Sequence, residues 1–368
     1  MSTAPSRRGY LDWLRGLAVL IMIEAHLLDS WTRVPDRQTR EFAYALIVGG
    51  FGAPLFLFLA GVAVALSAGA RLRRSGDAAA AAHAVAAHAV ARRGAEIFGL
   101  SLVFRVQAWI LGRSHPRTLL KVDILNIMGP SIVVAAWLWR AARSRRAQIA
   151  IFAAATTVIV ALTPIVRVLP VLALLPDPLE AYIRPTAGLS NFVFFPWMAF
   201  VLAGAMVGVI LDAARTAADE RRANLAMLVI GLAAAWLAYR LSFLPSPFPG
   251  WYPQSYFWTT SPAFFVLRFA LMTAAIGVAY LWERRPRGAE AWSPLRQLGR
   301  TSLFIYWIHV EMVYGLISLH LHKSLSWLQA WVALVLFWIF MLICSLAKDA
   351  VVSWWRKRGG SRSVTLPA

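Results

Sequence analysis

Apolar residues in this chain gather in runs of about twenty, separated by short clusters of charge, proline and glycine. A helix needs about 20 mostly apolar residues to cross the hydrocarbon of a bilayer. Ten stretches reach that length: 11–31, 49–70, 94–112, 124–139, 147–166, 191–211, 223–243, 261–282, 301–320 and 327–347. The 124–139 stretch is short and would fit by tilting or by partial burial. Residues 77–91 are helix-prone but mostly Ala, and read as a helix lying in the cytoplasmic interface. The pattern predicts an all-α polytopic membrane bundle of about ten transmembrane helices. Its multi-pass domain covers 1–357, and residues 358–368 form a disordered cytoplasmic tail.

Composition narrows the class. Of 368 residues, 60% are apolar and 15% charged, and mean hydropathy is +0.62. A soluble domain is nearer half apolar and a quarter charged, so a soluble two-domain enzyme and a disordered chain are both excluded. The single cysteine, Cys344, excludes an intrachain disulfide and a Cys-based metal cluster. The net charge of +20 comes from 37 Lys+Arg against 17 Asp+Glu. It would suggest nucleic acid if it sat on one domain. Instead, with the N-terminus inside, 24 of the basic residues fall in cytoplasmic segments, 10 outside, and Arg15, Arg105 and Arg268 within spans. That distribution follows the positive-inside rule. It predicts a plasma-membrane protein with both termini cytoplasmic and no nucleic-acid partner. Arg7-Arg8 imitates a twin-arginine export signal, but the run after it holds Arg15, Glu24 and His26, as an uncleaved first span would.

Ionisable groups inside spans are costly, so each is a candidate for function. Asp12 and Arg15 lie three apart in the first span and can pair on one helix face. Arg15 and His26 lie eleven apart, just over three turns, so they share a stripe about 16 Å long. Glu24 points away from His26. A histidine there can serve as base or nucleophile in acyl transfer, or be a satisfied structural imidazole. Asp12–Arg15 can be a structural ion pair or can support a donor. Arg105 and Gln107 in the third span and Arg268 in the eighth either pair with Glu24 or Asp123 or belong to a site, and His309 is a further mid-span candidate. The Pro-rich loop 245–260 carries Trp251, Tyr252 and Trp258, read either as an interfacial aromatic belt or as a platform for a sugar ring. No HExxH, P-loop or dinucleotide fingerprint occurs, and no metal is expected.

The basic residue, ten intervening positions and His of the first span resemble the signature of the membrane acyltransferase-3 proteins. The stretch Leu11-Asp12-Trp13-Leu14-Arg15-Gly16-Leu17-Ala18 more closely resembles the bacterial relatives of heparan-α-glucosaminide N-acetyltransferase. The likeness continues in Gly52-Ala53-Pro54-Leu55-Phe56-Leu57-Phe58-Leu59-Ala60-Gly61, Arg92-Arg93-Gly94, Val122–Gly129, Phe195-Pro196-Trp197 and Leu298–Leu303. The resemblance implies an integral membrane acyltransferase that moves an acetyl group from cytoplasmic acetyl-CoA, or another acyl-CoA, to an amino sugar or glycan outside. It implies His26 as the catalytic imidazole, supported by Arg15 and Asp12. Arg15, Arg105 and His309 are candidates for the donor, and Trp251, Tyr252, Trp258 and Arg268 for the acceptor. The lysosomal heparan enzyme has an Asn in place of His26 and its key His further along, whereas Trp31–Arg40 holds none here. The expected partners are the bilayer, the acyl-CoA and the acceptor, with a homodimer left open. The alternative class is a transporter or flippase of a small sugar or lipid-linked substrate. Internal repeats would suggest one, and none relates 1–185 to 186–368.

Overall fold

The computed structural model describes residues 8–74, 80–112, 115–245, 257, 260–285 and 292–360. Thirteen α-helices run through them in the order α1 (Gly9–Trp31), α2 (Arg40–Gly49), α3 (Gly52–Arg74), α4 (Ala80–Gly112), α5 (Ile124–Ala141), α6 (Arg145–Val168), α7 (Asp177–Ile183), α8 (Phe194–Ala213), α9 (Ala217–Leu241), α10 (Pro262–Glu283), α11 (Pro294–Arg300), α12 (Ser302–Tyr314) and α13 (Trp327–Gly360). Among the described residues no strand forms; only two isolated bridges occur, Thr32 with Leu325 and Val122 with Ser190. Eight helical stretches in the described residues are long and apolar enough to cross a membrane. The protein is an all-α, polytopic membrane bundle. Helix faces that pack on nothing are apolar, as on α9, where Val229, Ile230 and Trp236 are exposed, and on α13, where Val332, Leu336 and Ile343 are. Such faces need lipid around them.

Three elements differ from the sequence reading. The Ala-rich segment is not a separate helix, because α4 runs unbroken from Ala80 to Gly112. Alanine is the best helix former, and no proline interrupts the run. The expected 301–320 span is shorter: α12 ends at Tyr314, Gly315 is extended (φ −79°, ψ 179°), and a 3₁₀ turn follows over Leu316–Leu321. Thirteen residues rise only about 20 Å, short of a ~30 Å hydrocarbon core. Conversely, α13 outruns its expected end at 347. Of the expected tail, residues 361–368 lie outside the described residues.

The described residues form two compact units, one within Ala53–Arg285, the other of Arg8–Gly52 with residues 292–360. In the first, α4 packs on α5, α6 on α8, and α9 on α10. Close approach of α3 and α8 depends on glycine, since a Cβ on Gly61 would fall 1.9 Å from the Val201 carbonyl oxygen and one on Gly204 2.0 Å from that of Phe58. Small residues let membrane helices meet backbone to backbone.

Asp123 opens α5 in a capping box. Its Oδ1 accepts from the Ile124 amide at 2.8 Å, and the Asn126 side chain accepts from the Asp123 amide at 3.0 Å. Its other oxygen accepts from Arg105 Nη2 at 2.6 Å, a largely buried pair tying α4 to the start of α5. Removing one partner of a buried pair strands the other charge at a cost of about 3–5 kcal/mol, whereas replacing both is far milder. Arg105→Met and Asp123→Asn are therefore each expected to lower the thermal midpoint of purified protein, and the double variant to recover much of that loss. Strict additivity in the double variant would contradict the pairing.

In the second unit, α1 packs on α11, α12 and α13. Gly16 of α1 and Gly299 of α11 face each other's backbones. Added Cβ atoms would sit 1.9 Å from the carbonyl oxygens of Leu295 and Asp12 respectively. A polar network, buried at Gln297, Thr301 and Ser345, joins α11 to α13: Gln297 Nε2 donates to Ser345 Oγ (3.0 Å) and Asp349 Oδ2 (2.7 Å), and Thr301 and Ser345 share a hydroxyl bond of 2.6 Å. Trp338 Nε1 on α13 donates to the Leu20 carbonyl of α1 at 3.2 Å. The last carbonyls of a helix lack intrahelical partners. That of Val313 in α12 accepts instead from Ser30 Oγ (3.1 Å) and Trp31 Nε1 (3.0 Å) at the end of α1. These bonds fix the lateral position of α12 against α1.

Candidate active site

With α1 continuous and α12 anchored at its end, His26 and His309 meet. His26 Nδ1 lies 2.9 Å from His309 Nε2. The ring planes differ by 2° and the centroids are 5.2 Å apart. Centroids that far apart with nitrogens this close place the rings edge to edge, in the plane that holds the N–H and the lone pair. His309 Nδ1 lies 2.8 Å from the Ile305 carbonyl oxygen one turn earlier.

These distances define the tautomers of the neutral pair. A carbonyl only accepts, so His309 Nδ1 carries the proton and its Nε2 carries a lone pair. That lone pair accepts from His26 Nδ1–H. The basic nitrogen of His26 is then Nε2, on the far side of its ring from His309. His309 is fully buried and His26 is partly exposed. Tyr314 packs edge-on to His26 at 5.6 Å, and Tyr306 edge-on to His309 at 5.8 Å. The imidazole that can meet a substrate is thus oriented by one that cannot. The same division of labour orients a catalytic imidazole wherever its second nitrogen is held by a fixed acceptor.

At the other end of α1, Arg15 Nη1 lies 3.2 Å from Asp12 Oδ1. The Arg15 side chain is 25% exposed and that of Asp12 7%, so the guanidinium reaches the edge of the unit while the carboxylate backs it from inside. Glu24 is buried in the same helix, and its Oε2 has no hydrogen-bond partner among the described residues. Of the two arginines, Arg105 pairs with Asp123, and Arg268 lies over the Phe264 ring at 4.1 Å.

The second unit therefore brings Asp12, Arg15, His26 and His309 onto α1 and α12. Arg105 and Arg268 belong to the first unit, where Arg268 lines a cavity with Arg167. Trp251, Tyr252 and Trp258 lie outside the described residues. Among those described, no three His, Cys, Asp or Glu side chains gather as metal ligands would. The other histidines differ in surroundings: His88 is exposed, His83 stacks on Trp139 at 4.7 Å, and His322 Nε2 lies 3.1 Å from the Val313 carbonyl.

Sequence reasoning missed the pairing of the two imidazoles. A signal was available, since of seven histidines only His26 and His309 fall within the expected spans and away from their last residue. Two imidazoles within membrane spans each need a polar partner, and each can supply the other's.

No curated protein matches the chain. The family described as heparan-alpha-glucosaminide N-acetyltransferase, catalytic, matches residues 7–243, a stretch that holds Asp12, Arg15 and His26 and stops short of His309. With well over half of its length matched, the chain belongs to the heparan-alpha-glucosaminide N-acetyltransferase catalytic family.

Proposed function

We propose that this membrane protein transfers an acetyl group from acetyl-CoA to an amino sugar or glycan on the opposite face of the bilayer, with His26 Nε2 as the reacting nitrogen. The observation that carries this reading is the chain of two hydrogen bonds from His26 through His309 to the Ile305 carbonyl, 2.9 and 2.8 Å long. It leaves a partly exposed imidazole with its basic nitrogen in a defined place. That nitrogen either takes the proton of the attacking amine or hydroxyl, or takes the acyl group first and passes it on. In both routes the thioester carbon–sulfur bond breaks, the CoA thiolate leaves, and the acceptor's proton ends on His26 before release. The imidazolium formed midway is stabilised because His309 Nε2 still accepts from Nδ1–H.

Arg15 suits the other end of the donor. Its guanidinium stays charged and binds phosphate oxygens bidentately. It lies on the same helix stripe as His26, about 16 Å along the axis. An extended pantetheine arm would follow that stripe. The excess of basic residues in the segments assigned to the inside supports a donor entering from the cytoplasm and both termini on that side.

The test incubates purified wild-type protein and His26→Ala with acetyl-labelled acetyl-CoA, with and without a glucosamine-type acceptor. Wild type is expected to release CoA and label the acceptor, and the variant to do neither. Equal CoA release by both, with no labelled product, would sink the reading. Sugar or lipid movement that survived His26→Ala would favour a transporter instead.

A further inference from the structure

The first unit contains a cavity of about 240 Å³ to which the roles proposed for His26, His309 and Arg15 assign nothing. Two arginines, Arg167 and Arg268, line it together with Trp197, Phe200 and Phe264, and among the described residues lining it none is acidic. Arg167 stands in the last turn of α6. Its Nε and Nη2 donate to the Phe195 carbonyl at 3.3 and 3.1 Å. Phe195 has left helical geometry (φ −99°, ψ 109°) at the start of α8, so its oxygen is turned out of that helix's ladder. The acceptor is neutral, so the positive charge of Arg167 is held in place rather than cancelled. Arg268 stands in the second turn of α10, its guanidinium carbon over the Phe264 ring. Val193 and Ser261, the N-caps of α8 and α10, also line the cavity. The positive ends of two long helices add to the same field.

We propose that this cavity binds a phosphate ester, its anionic group held by Arg167 and Arg268 and its organic part resting on the aromatic wall. Paired guanidinium forks match phosphate oxygens. The site lies where α6 ends and α8 and α10 begin, which is the level of lipid headgroups for membrane-crossing helices. At about 240 Å³ it is smaller than the ~300–1,000 Å³ of sites for drug-sized ligands. It has room for a headgroup or a sugar phosphate and not for a whole acyl-CoA. The source of the phosphate ester is either a lipid or a water-soluble molecule.

Purified protein in neutral detergent would be titrated in one arm with short-chain phosphatidylglycerol and in the other with glycerol 3-phosphate. Binding is read by native mass spectrometry and by thermal shift. Wild type and His26→Ala are expected to bind one of the two probes alike, and the arm that responds identifies the source. Arg167→Gln with Arg268→Gln is expected to weaken that binding by about tenfold or more, the loss of a charge-assisted contact. Because Arg167 also holds Phe195, Ser261→Asp provides a second variant. Aspartate is as good an N-cap as serine, yet it places a carboxylate in the cavity, and it is expected to weaken binding while the protein stays folded. Binding of neither probe by wild type, or equal binding by wild type and Ser261→Asp, would overturn the proposal.

Discussion

Acetyl transfer is expected to fall by about 10³-fold or more in His26→Ala and by about 10²–10⁴-fold in His309→Phe, with the double variant scarcely worse than the worse single one. The two imidazoles act as a unit, and residues that act as a unit lose their effects non-additively. His309→Phe keeps a ring in the buried slot while removing both nitrogens. His26 Nδ1–H then loses its acceptor, and the ring can adopt the other tautomer or turn, which takes Nε2 away from the acceptor. The loss should appear in kcat, with KM for acetyl-CoA little changed, because the donor contact proposed above is Arg15, elsewhere along α1. Initial rates of label transfer with purified proteins measure both constants. A His309→Phe enzyme that turned over at the wild-type rate would remove His309 from any positioning role, and a rise in KM alone would assign it to donor binding.

The second large effect is structural. Gly16→Leu and Gly299→Leu are each expected to prevent recovery of folded protein, and the milder Gly16→Ala to lower stability by about 1–3 kcal/mol or more, the range for overpacking a filled interior. At 1.9 Å from a backbone carbonyl oxygen, an added carbon cannot be accommodated by a side-chain rotation, because the neighbour is main chain. The helices must separate. Separation of α1 from α11 disturbs the network of Gln297, Thr301, Ser345 and Asp349 that joins α11 to α13. Monodispersity in size-exclusion chromatography and the thermal midpoint in detergent report the outcome. Wild-type behaviour of Gly299→Leu would mean that the two backbones do not touch there. Gly99, which has nothing within 4 Å of an added Cβ, is the control position, where Ala should be tolerated.

Hydrophobic run length located most of the helices, because a membrane span must satisfy its own backbone and apolar length is then sufficient to specify it. The stretch read as 124–139 is α5, Ile124–Ala141, and 261–282 is α10, Pro262–Glu283. The Asp12–Arg15 pair was equally legible, since a spacing of three fixes which side chains can touch. What was not legible depends on packing. α2 is only ten residues, too short for a span pattern to register. The end of α12 at Tyr314 depends on where Ser30 and Trp31 reach the Val313 carbonyl, and sequence spacing does not carry that information. Pairing of Arg105 was narrowed to Glu24 or Asp123 by charge alone, and the choice follows from α4 delivering Arg105 to the cap of α5. His26 and His309 stand 283 positions apart in the sequence. Each was visible as a costly polar group in a span, but their hydrogen bond is a property of the assembled unit.

The unit that holds this pair is assembled from the two ends of the chain, with Ala53–Arg285 made in between. At typical translation speeds of about 5–20 residues per second, the ribosome needs roughly 15 s to a minute to travel from His26 to His309. Through nearly all of that interval α1 lacks α11, α12 and α13, on which it packs in the finished unit. A nascent chain stopped between residue 243 and α12 has every matched family residue and no complete pair. The pair can therefore form only once the last helices, as far as α12, have been made.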